Sequence, residues 1–175
     1  GPDQVLVQIS HMGICGTDKK IYDGGIPSKV PIVMGHEGIG QVLEGNARDG
    51  SGPGDRVIVD PVLYCKSCFY CKRNETHLCE KGGLLGRDIN GVFAEYVLVP
   101  SENVFSLGDK IDSKEAPLIQ VMTTVLHAQN RANIEPGEVV VVLGLGVTGL
   151  LQIQIAKALG ASIVIGVSRN SHKRK

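Results

Sequence analysis

Four cysteines in a short polar stretch constrain this chain more than any other feature. Cys65, Cys68, Cys71 and Cys79 follow the spacing C-x2-C-x2-C-x7-C. The residues between them, such as the run KRNETHL, are too polar to form a hydrophobic core, so the segment needs a cross-link to hold one conformation. Four thiolates at this spacing can surround one tetrahedral zinc ion, with bonds of about 2.3 Å. We therefore predict a structural zinc lobe over about residues 65–79.

Two other chemistries compete with zinc for these cysteines. The N-terminal sequence GPDQVLVQIS lacks the basic and apolar regions of a secretory signal, which disfavours disulfides because these are rare inside cells. An iron–sulfur cluster stays open, since cysteines at x2 spacing also bind such clusters. Even with zinc, the lobe alone would suit an interaction module as well as an enzyme.

The charge balance argues against a nucleic acid or an anionic membrane as the main partner. Lys and Arg total 18, and Asp and Glu also total 18, so the formal net charge is zero. No apolar run reaches the roughly 18 residues needed to cross a bilayer. The chain is 42% hydrophobic and can therefore bury a core. We expect a cytoplasmic protein.

Short strands separated by turns are predicted over the first hundred residues. Val5, Val7 and Ile9 alternate with polar residues, which is typical of a half-buried strand. Further strands are predicted over residues 38–43, 56–59 and 93–99. A helix is predicted to begin near Ser113 and to continue to about residue 133.

The last forty residues predict a β-α-β unit. Residues 139–143 are a continuous apolar run, VVVVL, which is typical of a strand covered on both faces of a parallel sheet. An apolar helix over residues 149–159 and a second strand over residues 163–167 follow. A doubly wound sheet has about six strands, and only two are predicted here, so we expect the chain to be a fragment.

A glycine-rich loop joins the first strand of this unit to its helix. It reads Gly144-Leu145-Gly146-Val147-Thr148-Gly149, the pattern G-x-G-x-x-G. Alone the pattern is weak, but a preceding strand and a following helix are the context of a dinucleotide-binding loop. The glycines allow a pyrophosphate to approach the backbone, and the helix N-terminus offers N–H groups to the anion.

The residues after the second strand favour NADP(H) over NAD(H). A carboxylate there would bind the ribose 2′-hydroxyl and repel a 2′-phosphate. The chain instead has Ser168 and Arg169, which could hold a 2′-phosphate through a hydroxyl and a guanidinium. The basic residues His172, Lys173 and Arg174 follow, although such residues are also common on solvated surfaces.

A second possible metal site lies nearer the N-terminus. The fifth cysteine, Cys15, is in the sequence GICGTD, and His36 and Glu37 are in GHEGIG. Thiolate, imidazole and carboxylate are all zinc donors, and the flanking glycines allow the backbone to turn tightly around an ion. A single cysteine or histidine is more often structural, but their coincidence in these glycine-rich sequences favours a site.

In this order and spacing, GICGTD, GHEGIG, GDRV at residues 54–57 and the four cysteines resemble the zinc-dependent medium-chain dehydrogenases, which act on alcohols, polyols and sugars. The resemblance covers essentially the whole chain. It implies an α/β protein with a GroES-like, β-rich catalytic domain over residues 1–119. The first part of a Rossmann doubly wound parallel sheet would follow over residues 120–175.

The resemblance also implies roles for single residues. Cys15 and His36 would bind a catalytic zinc, and Glu37 would be a ligand itself or a neighbour that exchanges with water at the ion. Thr17 would hydrogen-bond the substrate hydroxyl and pass on its proton, so Thr17 and Glu37 are the catalytic candidates. Thr124 would lie beside the nicotinamide ring.

Two positions depart from the family pattern. Lys20 replaces a histidine that many relatives use as the outer end of a proton relay, and a lysine with a pKa of about 10.4 suits that task poorly. Gln120 stands where relatives place a third zinc ligand, which is Cys, Asp or Glu. An amide oxygen is a neutral, weaker donor, so either Gln120 or Glu37 would complete the site.

The function that the resemblance implies is hydride transfer between an alcohol, polyol or sugar, or its carbonyl form, and NADP(H). Each chain would hold two zinc ions, one catalytic and one structural, and the full-length protein would be a dimer or tetramer. The alternative is a non-catalytic zinc- and nucleotide-binding protein, or an inactive fragment of such an enzyme. A zinc-free reductase is disfavoured by the metal-binding residues. Turnover by this chain alone is not expected, because its nicotinamide site would be incomplete.

Overall fold

The chain divides into two compact units, Gly1–Leu118 and Ile119–Lys175. The computed structural model describes residues 3–174, without the side chain of Arg174. The first unit is built on an antiparallel sheet, and the second contains a parallel pair of strands. Within the described residues, no helix is long and apolar enough to cross a membrane.

A five-stranded antiparallel sheet forms the body of the first unit. In chain order, the elements of this unit are β1 (Gln4–Gly13), α1 (Gly16–Tyr22), β2 (Glu37–Glu44), β3 (Arg56–Val59), β4 (Val62–Leu63), α2 (Phe69–Lys72), β5 (Gly83–Leu84), β6 (Tyr96–Pro100) and β7 (Val104–Ser106). The strand order in the sheet is β6-β1-β2-β3-β7. Strand β1 is an interior strand that pairs with both β2 and β6, and its inward side chains contribute to the core.

Valines dominate the core of the first unit. Val5 and Val7 of β1 are fully buried, and they pair across the sheet with Val99 and Val42. Other buried members of the same cluster are Val57, Val59, Leu85, Val92, Val97 and Val104. The alternation of β1 therefore places one face against the core, as the sequence pattern predicts.

The four-cysteine segment is flanked by a short two-stranded antiparallel ribbon, which forms the base of the lobe. Strands β4 and β5 pair antiparallel, with Val62 opposite Leu84, and the cysteine segment lies between them. The buried Asn103, only 1% exposed, donates from Nδ2 to the carbonyl oxygens of Asp60 and Val62, each at 2.8 Å. This amide fixes the base of the lobe to the segment that leads into β7.

The second unit contains the β-α-β unit. Its elements are α3 (Leu118–Ala132), which starts at the last residue of the first unit, β8 (Val139–Leu143), α4 (Val147–Ala158) and β9 (Ile163–Val167). Strands β8 and β9 are parallel and in register from Val139 opposite Ile163 to Leu143 opposite Val167. The buried Gln129 joins α3 to α4 by donating to the backbone and side-chain oxygens of Gln152, at 2.7 and 2.6 Å.

The fold class expected from the sequence is confirmed, and the differences lie at element boundaries. The predicted helix start near Ser113 is wrong, because α3 begins at Leu118, directly after Pro117. A proline disfavours helical backbone in the residue before it, so the preceding turns cannot extend the helix. The strand predicted from residue 93 begins at Tyr96, and α4 begins at Val147 rather than at residue 149. Helix α1 was not predicted at all.

Candidate metal centres and nucleotide-binding loop

The four cysteines of the lobe converge on one point. Their sulfur atoms all lie within 4.8 Å of one another. The Sγ atoms of Cys65 and Cys71 are 4.0 Å apart, and those of Cys68 and Cys79 are 3.9 Å apart. Tetrahedral zinc with bonds of about 2.3 Å would separate its sulfur ligands by about 3.8 Å, so the cluster fits a single ion. All four cysteines are free, and these separations exceed the roughly 2 Å of a disulfide.

Backbone N–H groups around the cluster favour thiolates. The N–H of Cys65 donates to Cys79 Sγ at 3.3 Å, and the N–H of Cys68 donates to Cys65 Sγ at 3.4 Å. Hydrogen bonds from the N–H and hydroxyl of Ser67 and from the N–H of Cys68 lower the pKa of Cys65 to about 6. Burial and the neighbouring thiols raise the pKa of Cys71 to about 12. Four thiolates therefore need a bound cation to be ionised together.

The second cluster brings together Cys15, His36 and Glu37, whose donor atoms also lie within 4.8 Å of one another. The pairing of β1 with β2 ends at Gly13 opposite Glu37, so Cys15 follows two residues beyond the point where the strands meet. His36 and Glu37 are 5% and 7% exposed. A Cβ atom at Gly13 would overlap Oε2 of Glu37, so glycine there leaves room for the carboxylate in its observed position.

Asp18 holds the second cluster together. This aspartate is 2% exposed, and its Oδ2 accepts the backbone N–H of Cys15 at 2.8 Å. Its Oδ1 lies 3.2 Å from Nδ1 of His36, within ion-pair distance, and within residues 3–174 neither of these buried atoms forms a hydrogen bond. A proton on Nδ1 facing this carboxylate would leave Nε2 free to bind a cation, the arrangement common at histidine metal ligands.

The glycine-rich loop has the geometry that pyrophosphate binding requires. Gly144 has a φ of +101°, which favours glycine, where β8 leaves the sheet. A Cβ atom at Gly149 would overlap the carbonyl oxygen of Gly144, so the helix can only pack this close with glycine there. Helix α4 starts at Val147, with Gly146 as its N-cap, and its first N–H groups face the loop.

A cavity of about 490 Å³ opens at the carboxyl ends of β8 and β9. Its lining residues are Leu143, Gly144, Leu145, Gly146, Val167, Ser168, Arg169, Asn170 and Lys173. Ligands of open α/β sheets bind at this edge. Within the described part of the lining, the ionisable side chains are the cations Arg169 and Lys173, and the hydroxyl of Ser168 accepts the N–H of Asn170 at 3.2 Å.

Comparison with known proteins identifies the family of this chain. Residues 1–109 match the alcohol dehydrogenase GroES-like domain family. Over 93% of its length, the chain is 36% identical to D-arabinitol dehydrogenase 1 of Uromyces fabae. The chain belongs to the zinc-dependent medium-chain dehydrogenases. It spans 47% of the arabinitol enzyme, so it matches about half the length of a curated relative.

Two further members of the dehydrogenase superfamily extend the comparison. The NAD-dependent alcohol dehydrogenase of Sulfolobus acidocaldarius is 37% identical over 95% of this chain and 52% of its own length. A crystal structure from Sinorhizobium meliloti 1021, described as a zinc-binding dehydrogenase bound to NADP, is 38% identical with a TM-score of 0.94. That match covers 99% of this chain and 51% of the crystallised chain.

The dehydrogenase residues predicted from the sequence lie in both compact units. Thr17 is half-buried in the first turn of α1, two residues after Cys15, and Lys20 is exposed on the same helix. Gln120 is half-buried on α3, and Thr124 is exposed on α3, both within the second unit. The roles of these four residues stay predictions.

Asp18 is the site residue that the sequence reasoning missed. It is the last residue of GICGTD, and its carboxylate reaches back to the N–H of a residue three positions earlier, as acids do in helix capping boxes. An acid three residues after a cysteine at a helix start was therefore the available signal. Its approach to His36 could not be read from the sequence, because it depends on the pairing of β1 with β2.

Proposed function

We propose that the full-length protein is a zinc-dependent oxidoreductase that interconverts an alcohol, polyol or sugar with its carbonyl form, using NADP(H). The observation that carries the proposal is the cluster of Cys15, His36 and Glu37, organised by the buried Asp18. Structural stabilisation alone would not require a thiol, an imidazole and a carboxylate within 4.8 Å of one another in a half-buried site. The named activities of the relatives support the same reaction class.

The donor set fits zinc. A bound zinc ion would supply Lewis acidity toward the substrate oxygen. Cys15 as thiolate and His36 as neutral imidazole would supply two donors, and Asp18 would orient both. Glu37 would supply the third donor. The charges of the three protein ligands would then sum to −2, without Asp18. With Gln120 in its place the charge would be −1, and the ion would be held less tightly.

The proposed zinc site also implies a route for the substrate proton and a place for the nicotinamide. Thr17 would accept a hydrogen bond from the substrate hydroxyl and hand its proton outward. Lys20 is exposed on the same helix, and an ammonium group offers donors but no acceptor for that proton. We therefore propose a relay that ends at water rather than at Lys20. The nicotinamide would lie against Thr124, and hydride transfer is the chemistry of the cofactor itself.

The proposed preference for NADP(H) rests on the cavity at the ends of β8 and β9. Ser168, Arg169 and Lys173 line it, and residues 166–174 contain no carboxylate that would repel a 2′-phosphate. The NADP in the Sinorhizobium structure supports this preference, whereas the Sulfolobus relative is named NAD-dependent. The lining residues of this chain therefore carry the argument.

The four-cysteine cluster is proposed to hold a second, structural zinc. Its four thiolates would leave no position open for substrate, which separates it from a catalytic site. A multi-iron cluster would need a wider arrangement of thiolates than the observed 3.9 and 4.0 Å separations. Assembly of the full-length protein as a dimer or tetramer, and its place in the cytoplasm, stay predictions.

A non-catalytic protein that binds zinc and nucleotide is the second candidate. Gln120 at the position of the third ligand favours it. The test is oxidation of a panel of alcohols, pentitols and hexitols by the full-length protein. The reaction is monitored through the absorbance of the reduced nicotinamide, once with NADP⁺ and once with NAD⁺. We expect turnover with NADP⁺ that Cys15→Ser abolishes. We also expect Thr17→Val to lower kcat more than it raises KM, and Thr17→Ser to restore kcat. Bound zinc and nucleotide without turnover on any substrate would favour the second candidate.

A further inference from the structure

Two loops of the first unit meet backbone to backbone beside His36. The first, here called the histidine loop, is residues 29–36. The second, the lobe exit, is residues 83–93, which lead from the four-cysteine lobe back to the sheet. Three backbone hydrogen bonds from the lobe exit to the histidine loop join Gly91 N to Val33 O at 2.7 Å, Phe93 N to Met34 O at 2.9 Å and Val92 N to Gly35 O at 3.0 Å. The backbone directly before His36 is therefore held by the lobe exit.

Gly35, Gly86 and Gly91 allow the two loops to approach each other this closely. Gly86 has a φ of +78°, and a Cβ atom there would lie 2.6 Å from both the backbone nitrogen and the carbonyl oxygen of Gly35. A Cβ atom at Gly91 would lie 2.7 Å from Gly86 Cα and would overlap the carbonyl oxygen of Gly35. The neighbours in each case are backbone atoms, which cannot rotate away as a flexible side chain can. Any side chain at these positions would therefore displace Gly35, and with it His36.

The lobe exit is also tied closely to the four cysteines. Gly82 N donates to the carbonyl oxygen of Cys79, the last cysteine, at 3.0 Å, and β5 begins at the next residue. Strand β5 pairs with β4, which ends two residues before Cys65. The N–H of Leu85 then donates to the carbonyl oxygen of Pro61 at 3.0 Å. Both ends of the cysteine segment thus enter the same small ribbon, and that ribbon continues into the glycine contact.

We propose that Gly86 and Gly91 are positioning residues for His36, and that metal bound by the four cysteines strengthens metal binding at Cys15, His36 and Glu37. This inference rests on the two metal sites of the proposed function. Closing the cysteines around an ion fixes the β4–β5 ribbon and the lobe exit, and the lobe exit fixes the backbone that carries His36. The coupling is reciprocal, because linkage between two binding equilibria must be.

The first test measures cobalt affinity at the second cluster with the lobe filled and with the lobe disabled. One equivalent of zinc is added to the metal-free chain to fill the four-thiolate cluster, and Co²⁺ is then titrated while its visible absorption bands are followed. The comparison is Cys68→Ser/Cys71→Ser, whose lobe cannot close around an ion. We expect Co²⁺ affinity at the Cys15 cluster to be at least about fivefold weaker in the double variant. Equal affinities would overturn the coupling.

The second test changes the glycine contact and leaves all proposed ligands in place. Gly86→Ala is compared with Gly50→Ala, because Gly50 also has a positive φ, +97°, but a Cβ atom there meets nothing within 4 Å. The control thus carries similar backbone strain without the contact. We expect Gly86→Ala to weaken Co²⁺ binding at the Cys15 cluster by fivefold or more and to leave the cobalt spectrum of the lobe unchanged, while Gly50→Ala changes neither. Similar affinities in both variants would overturn the positioning role.

The outcomes separate this inference from the proposed function. A chain that binds Co²⁺ at both clusters with independent affinities retains the proposed function and overturns the inference alone. A chain that binds metal only at the four cysteines overturns both. If Gly86→Ala does not fold, as judged by circular dichroism, the comparison with the double serine variant still decides whether the two metal sites are coupled.

Discussion

Replacing Asp18 by asparagine isolates the contribution of one carboxylate to the Cys15 cluster. The substitution keeps the size and shape of the side chain and removes its charge. An asparagine has one oxygen, so it can accept the N–H of Cys15 or place an oxygen near Nδ1 of His36, but not both. Asp18 accepts the N–H of Cys15 at 2.8 Å and places its other oxygen 3.2 Å from Nδ1. If the amide NH₂ faces Nδ1, the imidazole proton moves to Nε2 and blocks the nitrogen that would bind metal.

We expect Asp18→Asn to weaken zinc binding at the Cys15 cluster by about 10- to 100-fold, the usual effect of losing a carboxylate that orients a histidine ligand. That corresponds to roughly 1.4 to 2.8 kcal/mol. Zinc bound by the four cysteines should dissociate as it does from the unchanged chain. The assay is competition with a chromophoric chelator, which resolves a weak and a tight zinc ion in one titration.

A matched control exists in the same unit. The Asp49 carboxylate also accepts two contacts, from the N–H groups of Ser51 at 3.0 Å and Ser106 at 2.7 Å, and it lies in neither metal cluster. Asp49→Asn should leave both zinc affinities unchanged. If Asp18→Asn and Asp49→Asn both bind zinc as tightly as the unchanged chain, Asp18 does not orient His36 for metal binding.

Three further predictions address the lobe base and the cofactor site. Asn103→Ala leaves the carbonyl oxygens of Asp60 and Val62 without the Asn103 donor. It should lower the free energy of unfolding, measured by urea titration, by about 2–5 kcal/mol. A loss below about 1 kcal/mol would contradict the anchoring role of Asn103. Burial raises the pKa of Asp60, whose carboxylate accepts the N–H of Val62, so its ionised form destabilises the folded chain. Asp60→Asn should therefore have a larger free energy of unfolding than the unchanged chain at pH 7. This difference should vanish as the pH falls below the unfolded pKa of about 3.9, and a difference that grows on acidification would contradict the prediction. Arg169→Ala should weaken calorimetric binding of 2′,5′-ADP by roughly 10- to 100-fold and leave 5′-AMP unchanged, since one charged hydrogen bond contributes about 1.5–3 kcal/mol; equal losses for both nucleotides would argue against a 2′-phosphate site.

Features encoded by residues close together in the sequence could be predicted. The four cysteines fall within one short segment, and their convergence on a single point matches the geometry of one ion. The glycine-rich loop is equally local, and it does join a strand to a helix. Cys15, His36 and Glu37 were also predicted to form a site, first from their donor chemistry within glycine-rich sequences and then from the family resemblance.

Features that depend on distant contacts could not be predicted. The approach of Asp18 to His36 requires the register of β1 against β2, in which Gly13 lies opposite Glu37. The contact of Gly35 with Gly91 joins two loops that are far apart in the sequence, and glycine composition alone does not distinguish such a contact from an ordinary turn. The predicted start of α3 near Ser113 was wrong, because Pro117 disfavours helical backbone in the residue before it and α3 begins at Leu118.

The zinc content per chain shows whether both clusters bind an ion, and all residues proposed for the two clusters except Gln120 lie in the first unit. Elemental analysis would follow dialysis against a mild chelator, for the unchanged chain and for His36→Ala. We expect two zinc ions per chain in the unchanged chain and one in His36→Ala. One zinc ion in both samples would contradict the Cys15 cluster, and none in either would contradict both metal sites.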